Sequence, residues 1–304
     1  SVLKSCIDID GLEEAYVRGS LARGDADSHS DIDLLCVVSP EKFAAFIQSA
    51  GQMIEKKYRA VFPGWTDTIV KDFGGVGFVY LVEHEGKLHQ LDLYIACQGS
   101  EGLKRLDSVP HKQRIYSKHT DAAVTAEQKA VLAERKYTLN ASNVQKTIQD
   151  INSAPDTAEK TAVELCVLGF MIKKCLNRSD NILASNEFNM WKKCLIKLVR
   201  QKFDPDLKDY GFYHTKKLEQ QLNDKGAFYQ KLNTINDTTL STKSFNDAHV
   251  FAMQFLQEQY PDIYTQHKSA FEALSAHITA NDSKADGAPI VQFKRRHGKP
   301  GGPG

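Results

Sequence analysis

The 304-residue chain lacks any apolar run long enough to span a membrane. Its longest, Leu34 to Val38 and Val163 to Ile172 (broken by Glu164), fall far short of the roughly 18 to 20 residues required. It also lacks a Cys-x-x-Cys pair, so neither a zinc site nor a disulfide framework is expected. Most of Cys6, Cys36, Cys97, Cys166, Cys175 and Cys194 sit among apolar neighbours as small core residues. No basic stretch precedes an apolar leader at Ser1-Val2-Leu3-Lys4, and the chain reads as cytoplasmic. Charge of one sign is missing overall, since the net is +1, which gives no global pull toward nucleic acid.

What is present is ordinary globular composition: 41% hydrophobic and 25% charged residues, which argues against disorder and against a fibrous chain. The length implies two domains, or one core with a large appendage. Charge separates along the chain. Residues 1–125 carry 14 Lys+Arg against 18 Asp+Glu, whereas 160–217 carry 12 against 6.

The first 125 residues read as short strands and turns. Strands are expected at Leu12 to Arg18, Asp31 to Val38, Phe78 to Val82, Leu88 to Ala96 and Gln113 to Ser117, with a hairpin around Glu85-Gly86. After Pro40 the spacing of Phe43, Phe46, Ile47, Ile54 and Tyr58 predicts a helix ending near Pro63-Gly64. From 126 the pattern turns helical, with stretches near 126–150, 158–177, 184–203, 215–232 and 245–277. In the third, Phe188, Trp191, Leu195 and Leu198 form an apolar stripe while Lys193, Lys197 and Arg200 fall on another face. The expected organisation is α+β: a mixed-sheet domain at 1–125, a helical domain at 126–277, and a flexible basic Gly/Pro-rich tail at 278–304 that includes Lys294 to Lys299.

The chemistry concentrates in Arg18-Gly19-Ser20-Leu21-Ala22-Arg23 and the Asp31-Ile32-Asp33 that follows. Two carboxylates spaced by two on a strand share a face, while Ile32 and Leu34 pack on the other. Like charges this close need a cation, and paired hard oxygen donors suit Mg²⁺ together with phosphate. Gly19 lets backbone approach a ligand, Ser20 adds a hydroxyl and Arg23 a cationic fork. Asp92 interrupts the apolar run Leu91 to Ile95, so strand alternation turns it away from the buried face and toward the pair.

These residues resemble the nucleotidyltransferases of the DNA polymerase β superfamily, whose signature is Gly-Ser, ten residues, Asp-x-Asp and a later strand Asp. Gly19, Ser20, Asp31, Asp33 and Asp92 fill it. The α/β half followed by helices looks most like the minimal nucleotidyltransferases and the aminoglycoside and lincosamide adenylyltransferases. Lys174 and Arg178 are similar to the cations those enzymes carry on a helix pair after the catalytic domain.

The resemblance implies two Mg²⁺ ions held by Asp31, Asp33 and Asp92, with Gly19, Ser20 and Arg23 on the phosphates and Lys174 or Arg178 as counter-charge, ahead of Lys193 or Lys197. It implies transfer of a nucleoside monophosphate, AMP from ATP first among them, to a small-molecule hydroxyl. Alternatives are transfer to an RNA 3′ end or a protein, and a catalytically silent nucleotide-binding module. Asp92 is the first candidate for general base; Glu83, Glu85 and Glu164 are weaker ones. Gly74 to Gly77 reads as a connection, Trp65, Tyr80 and Tyr94 could border a cleft, and His29, His84, His89, His111, His119 and His214 lack metal-ligand spacing.

Overall fold

The computed structural model describes residues 2–58, 60–67, 74–107, 111–118, 125–205, 212–223 and 225–280. His119, the expected tail from 281 onward and its Lys294 to Lys299 cluster lie outside the described residues.

The fold is α+β, a mixed sheet with flanking helices followed by a helical region. Helix α1 (Val2–Ile7) leads into strand β1 (Leu12–Val17), a one-turn helix α2 (Gly19–Arg23) and strand β2 (Ile32–Val38). A 3₁₀ turn at Pro40–Lys42 feeds α3 (Phe43–Lys57), and β3 (Trp65–Thr66), β4 (Gly75–His84) and β5 (Lys87–Cys97) follow. Helix α4 (Glu101–Asp107) and strand β6 (Gln113–Ser117) complete this part. The sheet runs in the order β3-β4-β5-β2-β1-β6. Only β2 and β5 pair in parallel; the other four neighbouring pairs are antiparallel.

Two sequence expectations here need correction. Helix α3 stops at Lys57, short of Pro63-Gly64, because the chain leaves it to pair against β4: Val61 N–H donates to Leu81 O at 2.7 Å and Ala60 bridges Val82. Residues Gly75 to Gly77 belong to β4 and are not a connection, since backbone ladder bonds to Ala96 to Tyr94 need no side chain. The hairpin is as expected: His84 pairs with Lys87, and Glu85 and Gly86 both take positive φ (51° and 73°), the twist a two-residue loop requires.

The helical region comprises α5 (Ala126–Asn152), α6 (Ala158–Arg178), α7 (Asn181–Phe203), α8 (Phe212–Asn223), α9 (Ala227–Asp237), α10 (Thr242–Gln259), α11 (Pro261–Gln266) and α12 (Lys268–Thr279). The stretch expected at 215–232 is two helices separated at Gly226 (φ 46°), and that at 245–277 is three, broken before Pro261, which lacks the N–H that would continue α10.

Strand alternation divides the core. One sheet face, with Leu34, Cys36, Leu91, Leu93 and Ile95, packs on Phe43, Phe46 and Ile54 of α3 and on Val144 of α5. Helix α5 therefore packs with the sheet, although composition groups it with the helices. On the opposite face, Val79 and Leu81 of β4 join the core of α6, α7, α10 and α12, built around Trp191, Phe188 and Phe245. All six cysteines are buried free thiols. No helix among the described residues is long and apolar enough to cross a membrane.

Candidate active site

The apolar sequence of β2 and β5 forces their exceptions outward. Leu34, Cys36, Leu91, Leu93 and Ile95 fill one face, so Asp33, Gln90 and Asp92 project from the other. The parallel register sets Asp33 directly beside Asp92, and Asp31 lies one residue before β2, two positions before Asp33. The preceding turn is locked to the same strand: Arg18 N–H donates to Asp33 O at 3.0 Å. Gly19 then takes φ +60°, and a Cβ there would lie 2.3 Å from Asp33 Oδ2, so only glycine allows the one-turn helix to start against the carboxylate. Gly24, also left-handed, closes that turn by donating to Ser20 O at 2.9 Å.

Helix α6 supplies cations from above. Lys174 Nζ donates to Asp31 Oδ1 and Oδ2 at 2.6 and 2.7 Å and to Gln90 Oε1 at 3.2 Å. Gln90 in turn donates through Nε2 to Asp92 Oδ1 and Oδ2 at 2.9 and 3.1 Å. One turn further along α6, Arg178 Nε donates to Asp27 Oδ2 at 3.0 Å, and its NH2 reaches Asp27 Oδ1 and Ser30 Oγ. Asp27 also caps its own loop, accepting from the His29 backbone N–H at 2.9 Å. Arg23 is exposed and pairs with Asp25 at 3.0 Å.

The electrostatics follow from burial. Desolvation pushes Asp92 up to about 7, reinforced by Asp31 and Asp33 and opposed by the Gln90 hydrogen bonds. Asp33 is raised by burial and by Asp31, against the pull of Arg18, Lys174 and Arg23. The Arg178 guanidinium holds Asp27 down at about 2. Among the described residues no three His, Cys, Asp or Glu side chains enclose a ready metal site. The chemistry of the donors nevertheless suits a hard divalent cation: Asp33 and Asp92 are register partners with Asp31 close by, burial disfavours the charge of the first two, and the glycine cradle keeps Asp33 in place.

Residues 1–94 match the family model of a nucleotidyltransferase domain. No curated protein matches the chain. The matched segment takes in Gly19, Ser20, Arg23, Asp31, Asp33 and Asp92; Lys174 and Arg178 reach that segment from outside it.

Other candidates lie elsewhere. Lys197 pairs with Asp156 at 2.8 Å and Glu164 at 3.8 Å, and Lys193 is exposed. Glu83 and Glu85 are exposed at the hairpin end, Glu83 about 14 Å along β4 from the level of Asp92. Tyr80 is buried in the α3 core. Trp65 does border a cleft, of about 890 Å³, shared with the α5–α6 connection, the first turns of α6 and Lys197. Register places Trp65 opposite Val79, and Val79 opposite Asp92, so the tryptophan and the carboxylates share a sheet face with Trp65 about 10 Å from Asp92.

Sequence reasoning missed Gln90, Asp27 and Arg18. The signal for Gln90 was available: it lies two before Asp92 on the same strand and so on the same face. Arg18 lies over the Tyr94 ring, 5.2 Å from its centroid, which no spacing rule reveals.

Proposed function

We propose that the protein transfers a nucleoside monophosphate from an NTP, ATP foremost, to a hydroxyl of a small polar molecule and releases pyrophosphate. The observation that carries this reading is the register pairing of Asp33 with Asp92 beside Asp31 and behind Gly19-Ser20, within a segment matching a nucleotidyltransferase domain.

Asp31, Asp33 and Asp92 would hold two Mg²⁺ ions, which supply Lewis-acid charge at the phosphate and the acceptor oxygen when bound. Asp92, the first candidate for general base, would take the acceptor proton as the hydroxyl oxygen bonds to the α-phosphorus and the bond from that phosphorus to the bridging oxygen of the departing pyrophosphate breaks. Gly19 and Ser20 offer backbone and hydroxyl donors to the phosphates. Arg23, Lys174 and Arg178 add positive charge, each only as its carboxylate partner releases it.

The roughly 890 Å³ cleft beside Trp65 is of drug-sized volume, and its walls carry Asp156, Glu159 and Glu164 with Lys160 and Lys197, so an amine-bearing acceptor such as an aminoglycoside or a lincosamide would take Asp156 and Glu164 over from Lys197. An RNA acceptor draws less support. Of the twelve cations in 160–217, Lys174, Arg178, Lys197 and Lys217 are each paired with a carboxylate of the chain itself, which leaves fewer for an RNA backbone.

The test is label transfer from each of four α-³²P NTPs with Mg²⁺ to aminoglycosides, a lincosamide, bulk tRNA and cell protein, with Asp31→Asn/Asp33→Asn as control. Label on a drug, lost in the double variant, is expected; label on RNA or protein moves the acceptor to a macromolecule.

A further inference from the structure

Four cations stand around the carboxylate face, and three are committed. Lys174 is bound to Asp31 and Gln90, Arg178 to Asp27 and Ser30, and Arg23 to Asp25. The fourth, Arg18, makes no side-chain hydrogen bond or ion pair among the described residues. Its backbone is nonetheless fixed, donating to Asp33 O at 3.0 Å, and its guanidinium rests over Tyr94, a residue of the same face as Asp92.

A guanidinium supported on one face by a ring keeps its edge free, and that edge carries five N–H donors in a plane suited to paired phosphate oxygens. Arg18 also adjoins Gly19 and Ser20 in sequence, and its backbone bond holds it at Asp33. We propose that Arg18 is the residue that grips the triphosphate tail of the nucleotide. The inference rests on the nucleotidyl-transfer reading and adds to it the one cation whose donors are unspent. Tyr94 positions the guanidinium, and the three paired cations hold the loop and α6 in place.

The experiment measures binding in Mg²⁺ of inorganic tripolyphosphate, the four NTPs and the corresponding NMPs by titration calorimetry, for wild type, Arg18→Met, Arg18→Gln and Arg18→Lys. Arg18→Met and Arg18→Gln are expected to weaken tripolyphosphate and the preferred NTP by about 10- to 100-fold, the range for losing hydrogen bonds to a charged group. NMP affinity should stay the same, and Arg18→Lys should recover part of the loss as a point charge. Unchanged tripolyphosphate binding in all three variants overturns the proposal. So does an equal loss for NTP and NMP, which would mark Arg18 as a support for the fold or a contact for the nucleoside. Should wild type bind neither tripolyphosphate nor any NTP, the nucleotidyl-transfer reading falls and this inference falls with it. Should wild type bind both and Arg18 prove irrelevant, only this inference falls. Arg18→Lys keeps the test open if the shorter side chains unfold the protein.

Discussion

The ammonium of Lys174 lies 2.6 and 2.7 Å from the two oxygens of Asp31, a side chain 143 positions away. This contact ties α6 to the carboxylate face, and with a Lys174 side chain only 9% exposed it is sheltered from screening. Lys174→Met should cost about 3 kcal/mol by leaving the acidic cluster uncompensated, and Asp31→Asn in the same background should restore part of it. Urea denaturation of the two single variants and the double variant measures the coupling; strict additivity would mean that the pair is not an energetic unit.

Gly19→Ala should abolish transfer with only moderate loss of stability. The left-handed φ costs an alanine about 1 kcal/mol, while the added Cβ, 2.3 Å from Asp33 Oδ2, must displace that carboxylate. A fall of at least about 100-fold in turnover, with a melting temperature lowered by only a few degrees, is the expected pairing. A variant with wild-type turnover would show that Asp33 tolerates the shift.

Gln90→Ala removes the donor that satisfies both oxygens of a buried Asp92 and the acceptor that receives Lys174. The expected cost is about 2 kcal/mol of stability, from a buried acceptor left unsatisfied. Gln90→Glu keeps the shape and the acceptor for Lys174 but places a second carboxylate against Asp92. Its transfer rate should fall further than its stability does, as comparison of melting and single-turnover assays would show.

His249 is buried with its Nε2 3.0 Å from Ser275 Oγ, and desolvation depresses its pKa to about 4. The unfolded chain takes up a proton below the ordinary value near 6.5 and the folded protein refuses it until about 4. Stability conferred by the neutral ring is therefore present above 6.5 and lost as pH falls through that window. Relative to His249→Gln, wild type should lose about 2 kcal/mol between pH 7 and pH 5 in urea titrations. Parallel curves for the two proteins would place the histidine in a more polar setting.

Strand alternation makes part of the candidate site legible: the spacing of Asp31 and Asp33 puts them on one face and the place of Asp92 among Leu91, Leu93 and Ile95 turns it from the apolar side, and the pairing of β2 with β5 sets Asp92 beside Asp33. Hydrophobic periodicity likewise located the helices of the α6–α7 core. What escaped was set by contacts distant in sequence. No local pattern says that Lys174 meets Asp31, that Arg178 meets Asp27, or that α5 packs on the sheet through Val144. Gly75 to Gly77 read as a loop because glycine carries no strand signal, yet β5 offers a ladder that fixes them as strand.

The parallel pairing of β2 with β5 has a bearing on how the molecule is made. Those two strands cannot be joined by a tight turn, so their union waits for the intervening α3 and the β4–β5 hairpin to be in place. Closing the ladder sets Asp33 against Asp92, and the lysine nearest them comes from α6, far along the chain, where it binds Asp31. Refolding should therefore quicken when a divalent salt is present to offset that repulsion.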